Sequence, residues 1–471
     1  MRKIIISALL LTLIFLKAEA HIDVVYPSKT DITVNAPSVF FIGNTSDGAD
    51  FRINSEKIKL WNNNFFVHVI PLKYGINEIK MVSVKNGLKE QSVYTVRRNK
   101  PAGQSAGSIP KYQPKNKDSI LYTKTVNDRA VVREKPSGSA ARVSELSKDV
   151  VLYLLGKQGD YYKIDAKGAA QLWIHKSNID TPVNLPAETP ALLKNIKTYD
   201  DKNYYYTKFE LNYPVMYKLQ QQLNDVSLTL YGVQTFDSSG IIPNFTYRYS
   251  HTGILAGYDA YYENNTLVFR AAKTPKIKNK NKPLKNIKIF IDAGHGGEEN
   301  GSIGPSRICE KDVNLAVSRY LAEYLEEEGA DVIMSRKDDK TVKLYDRVKK
   351  AKEHDAFISV SIHNNALPDG KDPYKNHGTE VHYYNGNAVQ LAEIIQKDMV
   401  RNLNFKDNGV HKSSFALTRS SSPVSVLVEC AYMINPEEYM RLINPDVQKQ
   451  IARSIKDSLK KYIIAVQRQQ M

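Results

Sequence analysis

The sequence predicts a multidomain chain: N-terminal all-β modules (a sandwich, an SH3-like barrel and a β-rich domain) followed by a C-terminal α/β domain with a mostly parallel sheet. Three observations predict it. Up to about residue 272, short segments of strand character recur between turn residues without a helical period. Two stretches rich in Lys, Pro and small polar residues, 99–117 and 273–286, interrupt the apolar patterning. Beyond 287, strand-like runs alternate with helix-like ones, as in an open α/β layer. A length of 471 residues suits several domains better than one.

The chain opens MRKIIISALLLTLIFLKAEA, with two basic residues before an apolar run and Ala18-Glu19-Ala20 as a small-x-small site. That pattern predicts a cleaved export signal over 1–20. The apolar run is shorter than the roughly 20 residues a spanning helix needs, so no stable membrane span is expected. The location expected is exported, either the periplasm or the cell wall and extracellular space.

Residues 21–98 carry SVFFIGNT, FRINSEKI and FFVHVIPLKYGINEIKMVSV, short strands that predict a β-sandwich. Their succession of Gly-Asn-Thr-Ser, Asn-Asn-Phe-Phe and LKYGINEI resembles bacterial immunoglobulin-like modules. Over 118–181, Val132-Arg133, Pro136-Ser137, Tyr162-Lys163-Ile164 and Trp173-Ile174 stand where bacterial SH3-like modules carry their pattern. That resemblance implies wall-peptide binding or a spacer. Residues 190–272 hold NYYYTKFELN, SLTLYGV and TLVFRAA, dense in tyrosine, and are faintly similar to the β-rich wall-targeting domains of cell-wall hydrolases. The lysine run over 273–286 reads as a solvated tether.

The formal net charge is +16. In an exported chain this points to polyanionic surfaces, anionic wall polymers among them. Nucleic acid is not expected, because no basic-aromatic recognition motif accompanies the charge. Only two cysteines occur, Cys309 and Cys430, too few for a disulfide-stapled scaffold. Each adjoins a glutamate, so they could pair, but two free thiols are the plainer expectation.

From 287 to 468 the elements can be placed in order. IKIFIDAG is a strand; DVNLAVSRYLAEYLEEEG is a helix with apolar positions 313, 317, 320, 321, 324 and 325, Asp312 as cap and Gly329 as stop. ADVIMSR, DAFISVSIH and SSPVSVLVEC read as strands, LYDRVKKAKEH and AVQLAEIIQKDMVRNL as helices. Open α/β sheets place their sites beyond the carboxyl ends of the strands. His295 follows the first strand, His363 and Glu429 end two others, and Glu310 lies on the loop after the first. Singly, each has an ordinary structural reading: a hydrogen-bonded histidine, a glutamate near a helix N-terminus, a paired carboxylate. Four together at one sheet edge would be costly to bury unpaired, and a metal removes that cost. Two histidines and a carboxylate form a known catalytic zinc set with an open fourth position. His295, Glu310 and His363 are then the metal ligands, and Glu429 remains as base.

The motifs IFIDAGHGG, ICEKDVNL, Leu344-x-x-Arg347, AFISVSIHNNA, GTEVHYY and PVSVLVECAYMINPEE occur in order over roughly 287–465 and resemble the zinc-dependent N-acetylmuramoyl-L-alanine amidases of bacterial cell walls. The resemblance implies Zn2+ on His295, Glu310 and His363, with Glu429 as the catalytic glutamate. It implies peptidoglycan as substrate and binding surface, and cleavage of the amide joining the muramic acid lactyl group to L-alanine. Ala293 stands where the family usually has Pro, Asn364 replaces a small residue, and FALTRSSSPVSV is longer and richer in serine than usual, which leaves the groove near Arg419 open to question. Glu380 to Val389 runs on without the inhibitory helix that some relatives insert. Two alternatives stay open: a zinc peptidase acting on another wall amide, and a catalytically inactive wall-binding protein. A surface adhesin built from the N-terminal modules is a third, weaker one.

Overall fold

A computed structural model describes residues 20–100, 110–116, 120–168, 171–185, 189–222, 224–235, 242–277 and 279–469. The export signal expected over 1–20 falls outside them except for Ala20, as does much of the linker expected over 99–117. Among the described residues no helix is long and apolar enough to cross a membrane.

Residues 22–98 form two facing sheets. One joins Ile22–Tyr26, Ser38–Thr45 and Phe65–Pro71; the other joins Asp31–Val34, Leu88–Arg98, Gly75–Lys85, Asp50–Ile53 and Glu56–Lys57. Val39, Phe41, Phe51, Phe66, Ile79, Met81 and Val96 close the core between them. The run SVFFIGNT is apolar on both faces for a reason: Phe40 and Ile42 leave that core and pack on Tyr432 and Ile434 of the α/β domain. A second β module, spanning Gln113 to Leu185, closes its sheet around Val132, Leu152, Leu154, Ile164 and Ile174. A third module, spanning Ala191 to Ala272, closes its sheet around Phe209, Leu228, Leu267 and Phe269. The lysine-rich stretch after it is not solvated throughout, because Leu284 is fully buried in the core of the α/β domain.

In the α/β domain we label the strands β1 (Lys288–Ala293), β2 (Asp331–Met334), β3 (Ile358–Asn365), β4 (Thr379–Tyr383), β5 (Asp407–Lys412) and β6 (Val424–Tyr432). The helices are α1 (Glu310–Glu327), α2 (Leu344–Glu353), α3 (Val389–Leu403), α4 (Pro436–Leu442) and α5 (Pro445–Arg468). The sheet order is β2-β1-β3-β6-β4-β5. Every neighbouring pair is parallel except β4 with β6. The central strands read as unbroken apolar runs because helices cover both faces. On one face α5 lies across α1 and α3, burying Ile451, Ile455, Leu459, Tyr462 and Ile463 at helical spacing.

Helix α1 begins earlier than its apolar pattern indicates. Cys309 is the N-cap residue and Glu310 the first helical residue, while Asp312 reaches back to accept the Cys309 N–H at 3.3 Å. Gly329 ends the helix region in the left-handed conformation, φ 82°, where a glycine carries no Cβ penalty. Both cysteines are free thiols; Cys430 lies in the core and Cys309 is half-buried.

Candidate metal centre

Strand β1 stops at Ala293 and the chain turns through Gly294 into His295, which sits at φ 57°, a strained position for a residue with a side chain. A Cβ at Gly294 would lie 2.3 Å from the His363 ring, and one at Gly301 would lie 2.5 Å from Glu310 Oε2 and 2.6 Å from the His295 ring. These two positions must be glycine if the three side chains are to converge. Two buried arginines hold the turn by its carbonyls. Arg336 donates to Ala293 O at 3.0 Å and Gly294 O at 2.9 Å; Arg347 donates to Ala293 O and His295 O, each at 2.8 Å. Arg347 also pairs with the fully buried Asp292 at 2.8 Å, and Ser361 donates to the other oxygen of that carboxylate at 2.7 Å. Burial pushes the Asp292 carboxyl upward, but the Arg347 charge, with His363 and Ser361, outweighs it and holds the group below the usual carboxylate range.

Glu310, on the first turn of α1, is the hub. One carboxylate oxygen lies 3.3 Å from His295 Nε2 and the other 3.0 Å from His363 Nδ1. The Ser302 and Asn364 N–H groups and the Asn314 side chain also donate to it, at 2.9, 3.1 and 3.1 Å. Burial disfavours its charge, yet the contacts with both histidines outweigh burial and keep Glu310 ionised well below the normal range. For His363 burial lowers the pKa, but the Glu310 bond and charge override it and carry the ring up to about 9. Ligand atoms of His295, Glu310 and His363 all lie within 4.8 Å of one another. One anion between two imidazoles, half open to solvent at His295, is a donor set that can hold a divalent cation.

Glu429 stands beside this cluster because β3 and β6 are in register, His363 opposite Glu429. Both strands run on past these residues, to Asn365 and Tyr432, so the two side chains lie inside the sheet edge rather than at strand ends. Burial pushes the Glu429 carboxyl up to about 8; His363 opposes this, and the charges of Glu310 and Glu380 add to it. Its Oε2 is buried with no hydrogen-bond partner among the described residues.

Sequence reasoning passed over several residues here. Glu380 of β4 pairs in register with Glu429 on the other side and is held by Asn365 at 2.6 Å, His382 at 3.3 Å and the Asn408 amide. A glutamate within the strand-like run GTEVHYY was its only signal. Asn364, noted only as a departure, donates to Asn314 at 2.7 Å and so braces the shell of Glu310. Arg336 had no signal beyond closing a strand. His377 pairs with Glu438 at 2.8 Å, and His382 and His411 gather round Glu380 rather than the cluster. Arg419 is not exposed in a groove: it meets Glu145 of the second β module at 3.1 Å and donates to Ser414 O at 2.9 Å.

Fold and site together define a class: a mostly parallel α/β domain carrying a His-Glu-His cluster that can hold a metal, next to a buried carboxylate. A family model described as N-acetylmuramoyl-L-alanine amidase matches residues 289–461, which is this domain. The protein YqiI of Bacillus subtilis is 36% identical over 183 residues, 38% of this chain and 86% of that one. The N-acetylmuramoyl-L-alanine amidase LytC of the same organism is 34% identical over 196 residues, 41% of this chain and 38% of LytC. The solved N-acetylmuramoyl-L-alanine amidase AmiC2 of Nostoc punctiforme is 35% identical, covering 38% of this chain and 97% of that chain, with a TM-score of 0.36. The germination-specific N-acetylmuramoyl-L-alanine amidase of Bacillus subtilis is 32% identical over 200 residues, 38% of this chain and 81% of that one, and the chain belongs to the N-acetylmuramoyl-L-alanine amidase family.

Proposed function

We propose that this chain is an exported zinc-dependent N-acetylmuramoyl-L-alanine amidase that cuts peptidoglycan between the lactyl carbonyl of N-acetylmuramic acid and the L-alanine of the stem peptide. The observation that carries the proposal is the convergence of His295, Glu310 and His363 beside the partnerless, buried oxygen of Glu429. The family membership supplies the bond; the residue types supply metal-assisted amide hydrolysis. His295, Glu310 and His363 would hold the zinc. Zinc bound there would supply Lewis-acid polarisation of the carbonyl and a water acidic enough to lose its proton near neutral pH.

The chain's own residues do the rest. Glu429 accepts the proton of the attacking water at a carboxylate oxygen and delivers it to the leaving nitrogen of L-alanine. Glu310 stays anionic and fixes the orientation of both imidazoles. Arg336 and Arg347 keep the His295 turn in place through its carbonyls. The β modules, the charge of +16 and the export signal read over 1–20 fit a protein working at the wall, on peptidoglycan and against anionic wall polymers.

The test is digestion of intact peptidoglycan by the zinc-loaded protein and by Glu429→Ala, with fragments identified by mass spectrometry. Free stem peptides beginning with L-alanine, absent with the variant and after chelation, are expected. Cleavage within the stem would move the protein to the wall peptidases, and no release at all would leave a wall-binding protein.

A further inference from the structure

The second β module meets the α/β domain across a hollow of about 370 Å³. Asn127, Asp128, Arg129, Arg142 and Asn178 of the module face it from one side and Tyr345, on the first turn of α2, from the other. Arg129 lies over the Tyr345 ring, its guanidinium carbon 3.2 Å from the ring centre. Arg142 and Arg419 share one oxygen of Glu145, at 2.7 and 3.1 Å, and Arg419 also reaches the Tyr345 hydroxyl at 3.4 Å. A single carboxylate therefore answers two guanidinium groups. Arg129 has no ion-pair partner among the described residues. The acid on the lining, Asp128, accepts the Lys148 N–H at 3.3 Å, and Asn127 and Asn178 join their amides at 3.2 Å. Positive charge is in excess, with peptide-like amides alongside, so the hollow suits a carboxylate carried on a peptide.

Its position gives that charge a use. Tyr345 stands two residues before Arg347, which holds the carbonyl of His295. The hollow thus adjoins the helix that supports the metal loop, and one of its walls is another module. We infer that it is a subsite for the peptide arm of the substrate, in which Arg129 and Arg142 take a peptide carboxylate; this rests on the amidase reading above. Arg129 and Arg142 then determine which stem peptides are held, and Tyr345 fixes the direction of the Arg129 guanidinium.

The test measures binding apart from turnover. Full-length protein is titrated calorimetrically with an anionic pentapeptide beginning with L-alanine, and with the same peptide fully amidated at its carboxyl groups. Charge-assisted hydrogen bonds predict that Arg129→Ala and Arg142→Ala each weaken binding of the anionic peptide by about 10-fold or more, with little effect on the amidated one. With a muramoyl-peptide substrate the same variants should raise KM by a similar factor and leave kcat unchanged. Arg129→Lys should recover part of the binding, and unchanged melting temperatures would show both variants folded. Equal losses for both peptides, or none, would overturn the inference. So would glycerol phosphate binding as tightly as the peptide with the same dependence on both arginines, since the hollow would then be a general anion site. If the peptide binds as expected while no L-alanine-terminated product is released, the subsite stands and the amidase reading fails.

Discussion

The first and second β modules meet the α/β domain in opposite ways. The first is joined mainly by hydrocarbon: Val25, Phe40, Ile42 and Val67 pack on Tyr432 and Ile434, and Phe65 enters the main core against Tyr439, ring centres 5.8 Å apart, with the Arg307–Asp23 ion pair and a few hydrogen bonds such as Tyr374 to Val67 O at the edge. The second is joined by charge, through Glu145 with Arg419 and Arg129 over Tyr345, around open space. Apolar contact is gained only by excluding water and is not readily exchanged for a ligand. Contacts between guanidinium and carboxylate groups at a half-open junction are modest and exchangeable. One module is built in as part of the catalytic domain's scaffold, while the other forms the wall of a site.

The largest expected effect breaks the apolar side of that comparison. Phe65→Ala should cost about 3–5 kcal/mol, because it leaves a cavity in the core shared by both domains. Urea unfolding should show both domains destabilised; a loss confined to residues 22–98 would mean that they are not one unit.

Of similar size, and outside the junctions, is Arg347→Ala, which leaves Asp292 buried and unpaired at about 3–5 kcal/mol. The sign of its pH dependence follows from the lowered pKa of Asp292. In the wild type that group contributes stability above the ordinary carboxylate range, lost as pH falls through the lower folded value. The variant forfeits that contribution, so the gap in melting temperature between the two proteins should narrow as pH is lowered. A gap that stays constant with pH would show that Arg347 acts through its carbonyl contacts alone.

On the polar side, Glu145→Ala should cost about 1–3 kcal/mol, since Arg142 is partly exposed to water and Arg419 keeps Ser414 O and the Tyr345 hydroxyl. A loss as large as that of Phe65→Ala would erase the contrast. The smallest effect belongs to the exposed pair of Arg307 with Asp23, which borders the apolar contact. Arg307→Ala should change stability by less than about 1 kcal/mol at moderate salt.

The alternation of strands and helices after 287 was legible because buried parallel strands and amphipathic helices carry different periods. That His295, Glu310, His363 and Glu429 fall close together was legible because polar residues beside apolar strand runs have few structural uses, although two of the strands continue past His363 and Glu429. Glu380 was not, since only the register of β4 on β6 sets it beside Glu429. Nor were Arg336 and Asn364, whose partners are backbone carbonyls and a side chain brought close by folding. The double-faced apolar run SVFFIGNT was read as sandwich alone. That its second face belongs to another domain depends on contacts hundreds of residues away, which no local pattern records.

The central claim separates three metal ligands from one base, and the most direct measurement is zinc content by elemental analysis beside amide hydrolysis on the same preparations. About one zinc per chain is expected for a three-ligand site, lost in His363→Ala and kept in Glu429→Ala, with hydrolysis abolished in both. Zinc lost from Glu429→Ala, or hydrolysis retained by it, would contradict the account.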